Sequence, residues 1–323
     1  MAASKEFFPG AAFLPFAGAG SMLEEEFASR FRRNLSASRR YGDLLYLPDY
    51  DGAAEGVPYW CRCAMLRPFM LRFDSIGDAA AALREIQRSW APYQFTCFRR
   101  AALIQDKLPY VNLKPRSFPF SIPSSPIGLY TLLDEHTIIA SAETTSCLPA
   151  GALVLEEDHV NPPSRAYLKI QEGLTLARHF FGAELPRGGQ RCFEAGACPG
   201  GWTWVLAGLG AQVLAVDRTE LAPALMQNPL VEFRAHDAFT LPPLELGAFD
   251  WVFSDVICYP ERLLGWVRGW LESGMTRRMI CTIKMQGAVD WALVEEFAAI
   301  PDSRVVHLNY NKHELTFIHC AQD

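Results

Sequence analysis

A chain of 323 residues with a formal net charge of −6, half apolar and a fifth charged, has room for two domains with full cores and does not suit a protein that coats nucleic acid indiscriminately. No apolar run reaches membrane-spanning length, and residues 1–20 are broken by Pro9, Pro15 and several glycines with no basic stretch leading into an apolar core; a cytoplasmic protein with no membrane partner is expected. The nine cysteines form no Cys-x-x-Cys pair, which predicts reduced thiols and no metal site.

Residues 1–158 read as a separate α+β unit. Gly18-Ala-Gly20 has no strand before it and reads as a flexible entry to a helix around 24–33. Short strands are expected at 44–47, 59–64, 69–73 and 94–99. Residues 76–90 predict a helix, with Ile76, Ala80, Leu83 and Ile86 recurring along one face. Residues 129–133 and 137–142 flank the turn Asp134-Glu135-His136 and predict a hairpin. This order suggests a ferredoxin-like sandwich, interrupted by the Pro-rich span 115–126.

Within this half, Arg84, Arg88, Arg99, Arg100, Lys107, Lys114 and Arg116 are accompanied only by Glu85 and Asp106. Trp90, Tyr93, Phe95, Phe98, Tyr110, Phe118 and Phe120 are interleaved with them. Cations hold phosphates and aromatic faces stack on unpaired bases, so the mixture predicts an RNA-binding platform; the simpler alternative is an aromatic core under solvated cations.

Acidic Glu156-Glu157-Asp158 and the prolines that follow mark a domain boundary, so 159–323 reads as the second domain. Ser164 predicts the N-cap of a helix running to about 181, with Lys169 off its apolar stripe. Residues 192–195 are strand-like and break into Gly196-Ala-Cys198-Pro199-Gly200-Gly201-Trp202, where a helix begins; glycines there let a ligand approach the backbone, and amides at the helix start offer donors. A second apolar run, 212–216, ends in Asp217, whose carboxylate can accept from two ribose hydroxyls. No Gly-x-Gly-x-x-Gly cradle for a pyrophosphate is present, and Glu194 before the turn suits a cationic ligand better than a phosphate. The reading is S-adenosylmethionine, with Asp237 after the next strand reaching the adenine amino group. A dehydrogenase is the weaker alternative because the pyrophosphate loop is missing.

Further strands are expected at 231–234, 249–254, 279–283, 305–309 and 315–320, and helices at 260–273 and 289–299. Alternating strands and helices predict a doubly wound α/β sheet with functional groups gathered at one end of its strands. Lys169, Asp255, Lys284 and Glu314 can meet there. Ser-Arg-Ala-Tyr-Leu-Lys169, Gly-Ala-Cys-Pro-Gly-Gly-Trp202, Ser-Asp255-Val, Ile-Lys284 and Lys-His-Glu314-Leu-Thr closely resemble, in order across about 160–323, the motifs of FtsJ-type ribose 2′-O-methyltransferases. The resemblance implies a Rossmann-like S-adenosylmethionine-dependent methyltransferase domain and a Lys-Asp-Lys-Glu tetrad at those four positions. It is greatest to members that modify a cytidine ribose in 23S large-subunit rRNA and carry an N-terminal THUMP-bearing region, which implies a THUMP-like first domain. Glu194 stands where the family usually has Asp.

The chemistry asks for such a set on its own terms. A ribose hydroxyl is a very weak acid and must lose its proton while attacking a sulfonium methyl in line, so a base and firm positioning are needed. Lys284 can serve in its neutral form, oriented by Asp255, with Lys169 and Glu314 positioning the ribose; activity is then expected to rise with pH until the amine is free. Two other readings are a cytosine C5 methylase using Cys258, disfavoured because no proline precedes that cysteine, and a non-catalytic RNA-binding module on a methylase fold.

Overall fold

The computed structural model describes residues 3–7, 9–52 and 54–321. The chain divides into two compact units, one of residues 1–115 and 122–154, the other of 116–121 and 155–323. The Pro-rich span is therefore shared: 116–121 run with the second unit, where Arg116 bridges Leu155 and its carbonyl accepts from the Glu156 amide at 2.9 Å.

The first unit contains β1 (Ser4–Phe7), β2 (Ala11–Pro15), α1 (Gly20–Ser29), β3 (Arg39–Tyr41), β4 (Leu44–Leu47), β5 (Cys61–Met65), β6 (Phe69–Arg72), α2 (Ile76–Ile86), β7 (Trp90–Pro92), α3 (Phe98–Gln105), β8 (Gly128–Leu132) and β9 (Thr137–Ser141). They form two sheets, ordered β1-β6-β9-β8-β7 and β3-β4-β2-β5. Strand alternation explains the layering. Tyr130, Leu132, Ile138 and Ala140 face α2 and α3, whereas Leu129 and Ile139 pack with Ala12, Leu14, Tyr46, Cys63 and Met65 of the second sheet. The helix-covered sheet of the expected ferredoxin-like sandwich thus has a second sheet stacked on its other face. Residues 94–99 are not a strand, because Cys97 takes a left-handed φ of 49° and opens α3 instead. Helix α2 starts where Ser75 and Asp78 form a capping box, the serine hydroxyl accepting from the Asp78 amide at 3.2 Å and the Asp78 carboxylate from the Ser75 amide at 3.0 Å.

The second unit runs α4 (Tyr167–Phe181), β10 (Arg191–Ala195), α5 (Gly201–Gly208), β11 (Gln212–Asp217), α6 (Pro223–Met226), β12 (Val231–Ala235), α7 (Pro243–Leu246), β13 (Trp251–Ser254), α8 (Pro260–Ser273), β14 (Arg278–Lys284), α9 (Trp291–Ala298), β15 (Ser303–Val306) and β16 (Glu314–Cys320). Its seven-stranded sheet has the order β12-β11-β10-β13-β14-β16-β15; β10 to β14 are parallel, and β16 is antiparallel to both neighbours. Alternation along β10 sends Phe193 against Trp266 and Trp270 of α8 and Glu194 to Thr203 of α5. Burying a ring such as Phe193, 5.1 Å from Trp270, contributes about 1.5–3 kcal/mol. The chain passes from β10 outward to β12 and then returns to the other side of β10 as β13. That reversal opens a crevice at the carboxyl ends of β10 and β13, the place where ligands bind in open α/β sheets.

Helix α4 begins three residues later than its expected cap. Its first turn follows Ala166, without side-chain capping, and the Ser164 hydroxyl is buried with no hydrogen-bond partner among the described residues. The cause is close packing on α5. A Cβ on Gly201 would lie 2.4 Å from Ser164 Oγ, and the Trp202 indole donates to the Ala166 carbonyl at 3.0 Å.

Candidate active site

Four side chains come together at the carboxyl edge of the sheet, each for a local reason. Asp255 is the first residue past β13, its amide donating to Ala195 O at 3.2 Å across the switch point. Lys284 closes β14 and Glu314 opens β16; because those strands are antiparallel and in register at Lys284↔Glu314, both residues fall on the same edge. Lys169 enters from the first turn of α4 and ion-pairs with Glu314. Its ammonium is 4.0 Å from Asp255 Oδ1, and that same oxygen is 3.0 Å from Lys284 Nζ. The side chains are between 11% and 20% exposed, partly desolvated but reachable from outside. Two amines alternate with two acids around one point, an arrangement that can hold a hydroxyl-bearing group and accept its proton.

The glycine turn lies beside this cluster. Gly196 follows β10 at φ 75°, its amide donating to Val216 O at 2.9 Å, and a Cβ there would stand 2.7 Å from Val256 Cγ2, next to Asp255. The Cys198 amide donates to one oxygen of Asp217 and the Thr219 amide to the other, each at 3.0 Å. A carboxylate has about four acceptor positions, so Asp217 keeps capacity for ribose hydroxyls while it shapes the turn. Pro199 accepts from the Ala222 amide at 3.0 Å.

Several residues expected to contact the cofactor also have structural duties. The space saved at Gly200 is taken by Leu225, whose Cδ1 would lie 2.2 Å from an added Cβ, and the space at Gly201 by Ser164. These two glycines serve helix packing. Trp202 is buried at the α4–α5 contact. Glu194 is almost wholly buried, accepts from the Thr203 hydroxyl at 2.6 Å, and has its carboxyl pushed up to about 8 by burial, with Asp255 and Asp217 adding to the effect. Burial thus weakens the negative charge that Glu194 can offer a cationic ligand at the turn. Asp237 accepts from the Phe239 amide at 3.0 Å and is held by Arg218 and Arg262 at 3.0 and 3.2 Å, which leaves about one acceptor position open.

Cys258 is buried, and burial raises its thiol against the opposing pull of Arg262 and Lys284, so the thiolate a C5 methylase needs is disfavoured. Cys281 is fully buried and shifted further the same way. Among the described residues no group of three or more His, Cys, Asp or Glu could hold a metal ion, and no helix is long and apolar enough to cross a membrane.

In the first unit, Arg84 and Arg88 belong to α2 and the residues after it, Arg99 and Arg100 to α3, and Lys107 and Lys114 to the segment that follows; all but the half-buried Arg100 are exposed. Trp90 is core, its indole donating to Leu83 O at 2.9 Å, so it is no stacking platform, whereas Phe98 and Tyr110 are exposed. Arg116 lies in the other unit.

One buried acid beside the cluster was not expected from the sequence. Glu172, one turn beyond Lys169 on α4, is fully buried and receives three hydrogen bonds from Asn309 and Tyr310, in the segment leading to Glu314. The only available signal was a Glu three residues from a functional Lys on one helix.

A parallel sheet with one antiparallel strand, β16, inserted between its last two members, and a crevice between a glycine turn and an acid-amine cluster, places the second unit among Rossmann-like methyltransferase domains. Residues 162–264 match the family model described as FtsJ-like methyltransferase. It is 34% identical over 161 residues to the "Ribosomal RNA large subunit methyltransferase M" of Aromatoleum aromaticum, covering 50% of this chain and 43% of that protein. The proteins of the same name from Xylella fastidiosa (34% over 199 residues, 58% of this chain and 54% of that one) and Xanthomonas campestris (30% over 218 residues, 67% and 58%) are similar too. The chain spans about half the length of the curated relatives it matches.

Proposed function

We propose that this protein is a cytoplasmic enzyme that transfers a methyl group from S-adenosylmethionine to a ribose 2′-hydroxyl of RNA, with large-subunit (23S) rRNA as the substrate class. The observation that carries the reading is the convergence of Lys169, Asp255, Lys284 and Glu314 beside the glycine turn. The FtsJ-like domain and the names of the relatives support it. The crevice suits the cofactor: Asp217 retains acceptor capacity for ribose hydroxyls, and Asp217 and Asp255 make the strand tips acidic, favourable to a cationic nucleoside and unfavourable to a pyrophosphate. Gly196, Cys198, Pro199, Gly200, Gly201 and Trp202 of the turn, with Glu194, Asp217, Asp237 and Asp255 around it, would hold it. When bound, S-adenosylmethionine supplies an electrophilic methyl on a sulfonium.

The chain's own residues do the rest. Lys284, as the free amine, takes the proton of the ribose hydroxyl. Asp255, 3.0 Å away, orients that amine and stabilises the ammonium that forms. Lys169 and Glu314, paired with each other, hold the ribose so that its oxygen faces the methyl in line. Arg84, Arg88, Arg99, Arg100, Lys107 and Lys114 in one unit, and Arg116 in the other, contact RNA phosphates. Incubation with labelled methyl donor and undermodified rRNA, followed by mapping of ribose methylation through its resistance to alkaline cleavage, tests the proposal. Label on a base, or none on RNA, overturns it.

A further inference from the structure

A cavity of about 220 Å³ lies between the start of α8, the end of β14 and α9. Ile283 and Met285, the neighbours of Lys284 on both sides, help to line it, and Tyr259, four residues after Asp255, stands at its entrance with 65% of its surface exposed. The cavity is thus continuous in sequence with two of the four clustered residues, and no step of the proposed transfer uses it. Its floor is apolar, with Ile283 and Phe297 fully buried. The rim is polar: Glu261, Gln286 and Asp290 are all exposed, and Asp290 also caps α9 through the Leu293 amide at 3.1 Å.

We infer that this cavity receives one unpaired RNA base, that of a nucleotide adjoining the ribose presented to Lys284. The inference rests on the methyl-transfer reading and extends it to the substrate's base. Two carboxylates at the rim repel a phosphate but accept hydrogen bonds from an exocyclic amino group. An exposed tyrosine ring beside an apolar floor suits a flat, neutral π-face. The volume is below the roughly 300–1,000 Å³ of pockets that enclose drug-sized ligands, which limits the occupant to a single base. Cytosine, adenine and guanine carry an exocyclic amino group and uracil does not, so the site discriminates against uracil.

The test uses the full chain and an oligouridine nonamer with one central 2-aminopurine, whose fluorescence reports stacking. With wild-type protein the fluorescence is quenched on binding, and a nonamer with central cytidine displaces the probe about tenfold better than all-uridine RNA. Tyr259→Ala weakens quenching-linked binding about tenfold, a loss of the size expected for one base–aromatic stack. Tyr259→Phe, which keeps the ring, restores it, and neither variant changes the melting temperature because the side chain is mostly exposed. Unquenched probe, equal competition by cytidine and uridine nonamers, or wild-type behaviour of Tyr259→Ala overturns the inference. Methyl transfer by the wild type to undermodified rRNA is measured in parallel: transfer without quenching removes only the base pocket, whereas absence of transfer removes the enzymatic reading.

Discussion

Both nitrogens of Asn309 donate to the same oxygen of Glu172, the backbone amide at 2.9 Å and the side-chain amide at 2.8 Å. The Tyr310 amide donates to the other oxygen at 3.2 Å, and one residue further the Asn311 side chain donates to the Glu314 carbonyl at 3.2 Å. A buried carboxylate on the helix that carries Lys169 therefore braces the segment that delivers Glu314. Glu172→Ala leaves three partly buried donors without their acceptor and is expected to lower stability by on the order of 1–3 kcal/mol, the cost of a stranded donor reduced by access to water. Methyl-transfer kcat should fall while the dissociation constant for S-adenosylmethionine stays within about twofold. Denaturant unfolding and calorimetric titration check both halves.

Glu194 makes stability depend on pH with a definite sign. Burial raises its folded-state carboxyl from 4.5 to about 8, so between those values the folded protein holds a proton that the unfolded chain has released. Its contribution is complete below about pH 4.5 and is lost as pH rises through about 8. Glu194→Gln is neutral throughout and keeps an acceptor for Thr203. The unfolding free energy of this variant relative to wild type should rise steadily from pH 5 to pH 8, by on the order of 3 kcal/mol. A difference that stays flat over this window rules the assignment out.

How legible this molecule was depends on what each strand touches. In the second unit, parallel strands covered on both faces read as mostly apolar runs, so Val213–Val216, and Ile280–Ile283 with only Thr282 interrupting, stand out, and the residues at their ends follow. The first unit hides its strands. β3 is largely exposed Arg39-Arg40-Tyr41, β7 has three residues and ends in Pro92, and β2 lies between Gly10 and Pro15; none shows a period before its partners are known. The glycines show the same limit inside the site. Room for a ligand and room for a neighbouring side chain look identical in sequence, and only the fold reveals that Leu225 claims the space at Gly200. Glu172 was invisible because its partners lie 137 and 138 residues away.

Lys284→Ala is expected to lower methyl transfer by about 10²–10⁴-fold, the range for loss of a positioned general base, while leaving S-adenosylmethionine affinity near wild type. Lys284→Arg keeps a positive charge near Asp255 but cannot present a free amine, so it should be as inactive as the alanine variant. Single-turnover assays with undermodified rRNA separate this outcome from slow product release. An active Lys284→Arg protein places the base elsewhere.

Cys258 provides the control against covalent chemistry. Its thiol is buried and shifted upward by that burial, so Cys258→Ser should retain activity within about threefold. Loss of transfer in this variant, combined with retention in Lys284→Ala, would point to a cysteine adduct on a pyrimidine base.

The cations of the first unit give a prediction that separates binding from chemistry. Arg84, Arg99 and Lys107 are exposed, and Arg84 is engaged only weakly, by a 3.4 Å contact to Lys107 O. If these side chains meet phosphates, each one reversed to Glu should shallow the slope of log affinity against log salt by roughly 0.7–0.9, with the smaller value for single strands. The triple reversal should then weaken RNA binding at physiological salt by more than about tenfold and raise KM. Because the four clustered residues and the glycine turn belong to the other unit, S-adenosylmethionine binding should not change. Filter binding of rRNA across a salt series gives the slopes, and an unchanged slope in the triple variant would make these cations an ordinary solvated surface.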